Sequence, residues 1–74
     1  MTRQYTVLLT PDPDEGVYVV TVPSLPGCFT QGRTIEESLE RAREAISGHI
    51  AALQDIGELV PEEQAHPEVA LVEV

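Results

Sequence analysis

The most constraining feature of the chain is a loop rich in proline and glycine that leads directly into a helix start. Pro23 and Pro26 fix their own φ angles and remove two backbone hydrogen-bond donors. Gly27 and Gly32 permit the positive φ values that tight reversals need. The prolines and glycines therefore predict a rigid loop. Because the loop contains no catalytic group, we interpret it as a scaffold rather than a reaction centre.

One long amphipathic helix is predicted directly after this loop. Thr34 supplies a side-chain oxygen for an N-cap, and Glu37 three residues later predicts a capping box. Over residues 35–56 apolar positions recur at alternating steps of four and three, which indicates a helix lying on a sheet. They are Ile35, Leu39, Ala42, Ile46, His49, Leu53 and Ile56. Gly48 within the helix indicates that the helix closely approaches the sheet or a second subunit at this point, or that it kinks there. Gly57 predicts a left-handed cap at the end of the helix.

Three short strands are predicted before the helix. Residues 3–10 alternate between apolar and polar side chains in β-favouring types. The apolar face comprises Tyr5, Val7 and Leu9. A turn cluster at 11–16 joins this strand to a β-branched run at 17–22, which predicts a hairpin. A third strand around 28–31 can pair back onto the second.

A closing strand is predicted at residues 69–74, after a polar linker at 62–67. Its two faces are both largely apolar, and such a strand is stable only when both faces are covered. A right-handed crossover would place it parallel to the first strand, in the spatial order 3-2-1-4. The predicted fold is therefore a two-layer α+β domain of topology β-β-β-α-β that occupies residues 1–74.

The small size of the chain predicts a homodimer. A domain of 74 residues buries only about 60 % of the surface that its unfolded chain exposes. The single cysteine, Cys28, cannot form an internal disulfide and is predicted to be a reduced, buried small residue. Oligomerisation would supplement this core. The predicted dimer edge is the apolar terminal strand, at Val69, Leu71 and Val72.

The charge of the chain argues against direct nucleic-acid binding. The formal net charge is -9, and residues 36–74 carry ten of the 13 acids but two of the four arginines. So few cations cannot neutralise many phosphates. The acidic balance fits plain solubility or attraction to a basic partner. No apolar run or leader pattern predicts membrane insertion or export, so a cytoplasmic protein is expected.

The loop and helix start resemble a known family, the HicB-type antitoxins of bacterial and archaeal toxin-antitoxin pairs. The residues that carry the resemblance are Pro23, Leu25, Pro26, Gly27, Cys28, Thr30, Gly32, Thr34, Glu36, Glu37 and Leu39. Residues 57–61, which begin with Gly57 and end with Pro61, are similar to a recurrent family pattern after the helix. The resemblance covers most of the chain.

The resemblance implies a fold, a partner and a mode of action. The fold would be a partial ribonuclease H fold with a fourth strand. The partner would be HicA, a small basic RNA-cleaving toxin that the antitoxin neutralises. Many members of the family also carry a promoter-binding segment after this domain. Because the sequence stops at Val74, promoter binding is not expected here.

Enzymatic activity is not expected from the residues. Ribonuclease H chemistry requires carboxylates from several elements around two divalent ions, including one on the first strand. Residues 3–10 contain no aspartate or glutamate. His49 lies in the apolar stripe and His66 in the polar linker, and neither has a ligand-spaced or catalytic partner. We therefore predict no catalytic residue, no metal ligand and no cofactor.

One surface of the predicted helix suggests a partner. Three glutamates recur at four-residue steps, so they stack along one edge, where like charges repel. They are Glu36, Glu40 and Glu44. Arg43 is spaced to form an ion pair with Glu40, and Arg41 with Glu37, which would reduce this repulsion. The strip is either an ordinary solvated face or a surface that steers a basic toxin.

Two functions remain open at the level of the sequence. The first is an antitoxin domain that occludes the active or RNA-binding face of a HicA-like toxin. The alternative is a free-standing homodimeric module of the same fold that binds a ligand or protein and has no toxin partner.

Overall fold

Within the residues that the computed structural model describes, 3–63 and 67–74, the chain forms three strands and then one helix. The strands are β1 (Leu8–Asp12), β2 (Val17–Thr21) and β3 (Phe29–Gly32), and helix α1 spans Ile35–Asp55. Strand β2 pairs antiparallel with both neighbours, which gives the order β1-β2-β3. Helix α1 packs on this sheet, mainly against β3 and β2. The predicted two-layer α+β arrangement of three strands and a helix is confirmed.

The first strand begins later than predicted. Strand β1 starts at Leu8, which pairs with Thr21, the last residue of β2. Residues 3–7 extend beyond the end of β2, so the sheet offers them no backbone to pair with. At its other end β1 continues through Pro11 to Asp12. Proline is tolerated there because β1 is an edge strand of the described sheet.

The loop after β2 forms part of the hydrophobic core. The Val22 N–H donates to the Cys28 carbonyl at 3.3 Å, Leu25 to Val22 at 3.0 Å, and Cys28 to Leu25 at 3.0 Å. All three side chains are buried and form one apolar cluster. Burial raises the pKa of the Cys28 thiol, which keeps it protonated and unreactive. The prediction of a buried Cys28 without a disulfide is confirmed, and the hydrogen bonds and buried side chains of the loop are what a rigid scaffold requires.

Gly27 adopts the positive φ that the sequence predicts, with a value of 86°. No heavy atom lies within 4 Å of the position that a Cβ would occupy there. Gly27→Val should therefore lower the free energy of unfolding by more than about 1 kcal/mol, through backbone strain alone. Urea unfolding measures this loss. Gly27→Asn is the matched control and should lose less, because asparagine tolerates this conformation; equal losses for the two variants would contradict the explanation.

Gly32 has a different role from the one predicted. Positive φ values among the described glycines occur at Gly16, Gly27 and Gly57, so the expectation of a positive φ at Gly32 is wrong. A Cβ at Gly32 would lie 2.5 Å from the Ser38 Oγ, 2.6 Å from its N and 2.7 Å from its Cα. Ser38 is fully buried, and its hydroxyl donates to the Thr34 carbonyl at 2.6 Å. Glycine is required here because the end of β3 contacts the first turn of α1.

The predicted helix N-cap is confirmed. The Glu37 N–H donates to the Thr34 Oγ1 at 3.0 Å, and Thr34 has an extended backbone. The second half of the predicted capping box is not formed in the described part of the chain. Instead, the Glu37 carboxylate lies 3.3 Å from the Arg41 guanidinium, one turn along the helix.

The helix ends at the predicted place. Gly57 has a φ of 75°, the Glu58 N–H donates to the Leu53 carbonyl at 2.9 Å, and the Gly57 N–H donates to Gln54 at 3.1 Å. This is the Schellman arrangement. Helix α1 continues through Gly48, and no heavy atom outside the local helix lies within 4 Å of a Cβ there. A close approach of Gly48 to the sheet is therefore ruled out.

The predicted closing strand is absent from the described residues. Residues 67–74, here named the carboxy-terminal arm, have no regular secondary structure and are exposed throughout. The order 3-2-1-4 is therefore not found. An apolar, β-favouring segment forms a strand only when a neighbouring backbone pairs with it, and none of the described strands pairs with the arm. Of the predicted linker, His66 lies outside the described residues.

Candidate interaction surfaces

The Glu63 carboxylate connects the segment after the helix, through hydrogen bonds, to residues near the beginning of the chain. The Glu63 Oε2 accepts from the Thr6 N–H at 2.9 Å and from the Thr6 hydroxyl, and its Oε1 accepts from the Ser24 hydroxyl at 2.7 Å. Beside it, the Tyr5 hydroxyl donates to the Pro61 carbonyl. The interpretation of residues 62–67 as a polar linker is therefore wrong at Glu63. No local pattern distinguishes this glutamate, because its partners lie 57 and 39 positions away.

Glu63→Gln should lower the free energy of unfolding by about 1–3 kcal/mol. An amide offers one acceptor oxygen, so its NH2 group would face either the Thr6 or the Ser24 donors, and a partly buried bond would be lost. Thermal and urea unfolding measure the change. Glu58→Gln is the control, since Glu58 is exposed and its substitution should have little effect. Equal stability of the two variants would contradict the role assigned to Glu63.

The glutamates predicted to face a partner lie exposed on α1, and we name them the acidic strip: Glu36, Glu40 and Glu44. The predicted pair between Glu37 and Arg41 is formed at 3.3 Å, with both side chains more than a third exposed. Such a pair contributes only a few tenths of a kcal/mol. The predicted ion pair between Glu40 and Arg43 is not formed among the described residues. The strip is thus not neutralised by arginines of its own helix.

An open groove of about 710 Å³ lies between residues 3–7 and α1, and we name it the amino-terminal groove. Its apolar lining consists of Tyr5, Val7, Leu39, Ala42, Ile46 and Ile50. Arg3 and Arg43 also line it, so this surface combines an apolar floor with two cations. Periodicity predicts the helical side of the groove. The other side depends on residues 3–7 extending past the end of β2, which the strand pattern does not reveal.

Large apolar side chains are exposed at several other places. Phe29 on β3 is 71 % exposed, and Leu59 after the helix is 92 % exposed. The predicted dimer edge is similar: Val69 is 86 %, Leu71 102 % and Val72 81 % exposed. Contiguous exposed apolar side chains of this kind mark candidate interaction surfaces.

The described residues do not form a metal-binding cluster or a membrane-spanning helix. His49 lies half-buried on α1. Across residues 3–63 and 67–74, histidine, cysteine and acidic side chains do not gather in any group of three or more that could hold a metal ion. In the same residues, no helix is both long enough and apolar enough to cross a membrane.

Similar proteins agree on one family. The family model for the HicB-like antitoxin of bacterial toxin-antitoxin systems matches residues 5–71. A UPF0150 protein of Thermoplasma acidophilum is 50% identical over 62 residues, which cover 84% of this chain and 88% of the relative. The antitoxin HicB of Escherichia coli K12 is 38% identical over 58 residues, with 78% of this chain covered.

A solved structure is similar to the same region. The N-terminal domain of the Burkholderia pseudomallei antitoxin HicB superposes with a TM-score of 0.64 at 42% sequence identity, covering 73% of this chain and 62% of that one. The match covers only 41% of the Escherichia coli antitoxin. The resemblance first drawn from the loop and helix start is therefore confirmed across most of the sequence. The chain is a member of the HicB-like antitoxin family of toxin-antitoxin systems.

Proposed function

We propose that this chain binds and neutralises a small basic RNA-cleaving toxin of the HicA type by covering its active or RNA-binding face. Residues 1–74 act as a single, non-enzymatic domain in the cytoplasm. The observation that carries the proposal is the acidic strip: three exposed carboxylates at four-residue steps on a helix whose two ends are both capped.

The geometry of the strip suits a basic partner. Four residues of helix rise about 6 Å, so the three carboxylates extend along roughly 12 Å of one helix edge. Their mutual repulsion is relieved when a cationic surface approaches. The net charge of -9 adds a long-range attraction that accelerates the encounter.

Reversing the strip should slow association with the toxin. Glu36, Glu40 and Glu44 replaced together by lysine should reduce the association rate at least about tenfold at low salt and flatten its salt dependence. Stopped-flow or surface binding kinetics measure both quantities. The matched control places the same three reversals at Asp14, Glu15 and Glu58, which are exposed elsewhere on the chain. Equal slowing in both variants would assign the effect to net charge alone, and no slowing would reduce the strip to a solvated face.

Copurification tests the partner itself. The proposal predicts that an adjacent reading frame encodes a small basic protein that inhibits growth, that the tagged chain retains this protein, and that co-expression of the two restores growth. If a folded chain neither retains the protein nor restores growth, the antitoxin proposal fails.

The second candidate is a homodimeric binding module of the same fold with no toxin partner. The amino-terminal groove and the exposed arm favour it, because together they supply an apolar surface and an apolar segment on the same chain. We propose the homodimer under either function. We propose no direct nucleic-acid binding, since four arginines against 13 acids leave few cations for phosphates.

A further inference from the structure

The carboxy-terminal arm and the amino-terminal groove are complementary in composition. Side chains 69, 71 and 72 of the arm are apolar and stand clear of the rest of the chain. The floor of the groove is apolar and open. Neither surface is covered by the other within the same molecule.

The two surfaces are also complementary in charge. Glu68 and Glu73 flank the apolar residues of the arm. Arg3 and Arg43 line the groove, and neither forms an ion pair within the described residues. An acidic, apolar segment therefore fits this groove, whereas a basic toxin would be repelled by the two arginines.

The lengths agree as well. An extended segment rises about 3.3 Å per residue, so residues 69–73 and residues 3–7 each extend over roughly 13 Å. The helical wall of the groove, from Leu39 to Ile50, rises over about 16 Å. Residues 3–7 take no part in the described sheet and border the groove through Arg3, Tyr5 and Val7, so an extended segment in the groove would lie alongside them.

We propose that the arm of a second copy of this chain occupies the amino-terminal groove, and that the exchange is reciprocal. Each arm lies between residues 3–7 and α1 of its partner, with its carboxylates near Arg3 and Arg43. In a dimer with two-fold symmetry, both grooves are filled and both arms are covered, so no further copy can add to the assembly. The inference specifies the contact of the proposed homodimer and does not depend on a toxin.

Complementary charge reversal tests the contact. One variant carries Arg3→Glu and Arg43→Glu, and a second carries Glu68→Arg and Glu73→Arg. Light scattering after size exclusion should report twice the chain mass of 8.1 kDa for the unmutated protein. The dimer dissociation constant of each variant alone should rise at least about tenfold, because its arm and its groove carry charges of the same sign. An equimolar mixture should restore a dimer that contains one copy of each.

The control reverses two arginines outside the groove, with Arg33→Glu and Arg41→Glu, and should leave the dimer intact. Circular dichroism checks that every variant is folded. The proposal is overturned if the unmutated chain is a monomer, including one whose own arm becomes protected from hydrogen exchange. It is also overturned if the mixture dimerises no better than its components. These outcomes concern the contact between copies, so they are separate from the result of toxin binding.

Discussion

Replacing Gly32 by alanine should lower the free energy of unfolding by about 3 kcal/mol or more. The new methyl group would lie 2.5–2.7 Å from three atoms of Ser38, two of them backbone atoms. A backbone at the buried junction of β3 and α1 cannot move away without separating the helix from the sheet. A domain of this size has a stability of only about 4–11 kcal/mol, so the loss is a large share of the total.

Gly48→Ala is the matched control for this substitution. The same methyl group meets nothing within 4 Å there, and the position is in the middle of α1. Alanine should therefore stabilise the protein by up to about 1 kcal/mol. Urea unfolding of both variants gives the comparison. If Gly32→Ala were as stable as the unmutated protein, the close packing of β3 on α1 would be wrong.

Replacing Leu25 by alanine should lower the free energy of unfolding by about 2–5 kcal/mol, although Leu25 lies in a loop. Its side chain is completely buried and packs with Val22 and Cys28 at the centre of the core. Loss of this side chain removes apolar burial and leaves a cavity that the hydrogen-bonded turns around it cannot close.

Leu59→Ala is the control for the loss of a leucine side chain. Leu59 is 92 % exposed, so its truncation should change stability by no more than about 0.5 kcal/mol. Calorimetry or urea unfolding measures both variants. A loss below about 1 kcal/mol at Leu25 would mean that the loop is a surface feature rather than part of the core.

The parts of the fold that depend on local chemistry could be predicted from the sequence. Thr34 and Gly57 mark the two ends of α1 because capping involves only neighbouring backbone groups. The hairpin and the turn-forming loop follow from alternation and from proline and glycine at fixed offsets. The family resemblance was available for the same reason, since its motif lies in this loop.

The parts that depend on distant contacts could not be predicted. The loop pattern predicts a positive φ at Gly32. The actual constraint at this position is the proximity of Ser38, which exists only after β3 packs on α1. Glu63 cannot be distinguished from other acids until the chain brings it to Thr6. The arm was predicted as a strand from its composition, but a strand also requires a partner edge, and composition does not supply one.

The most direct test of the proposed antitoxin function is the effect of the purified chain on RNA cleavage by the HicA-like toxin that the proposal pairs with it. Increasing amounts of chain are added to this purified toxin and a labelled RNA. The account predicts that cleavage ends near one chain per toxin, that the chain alone leaves the RNA intact, and that the variant with a reversed acidic strip needs a clear excess. Cleavage that continues undiminished in the presence of excess folded chain would contradict the account.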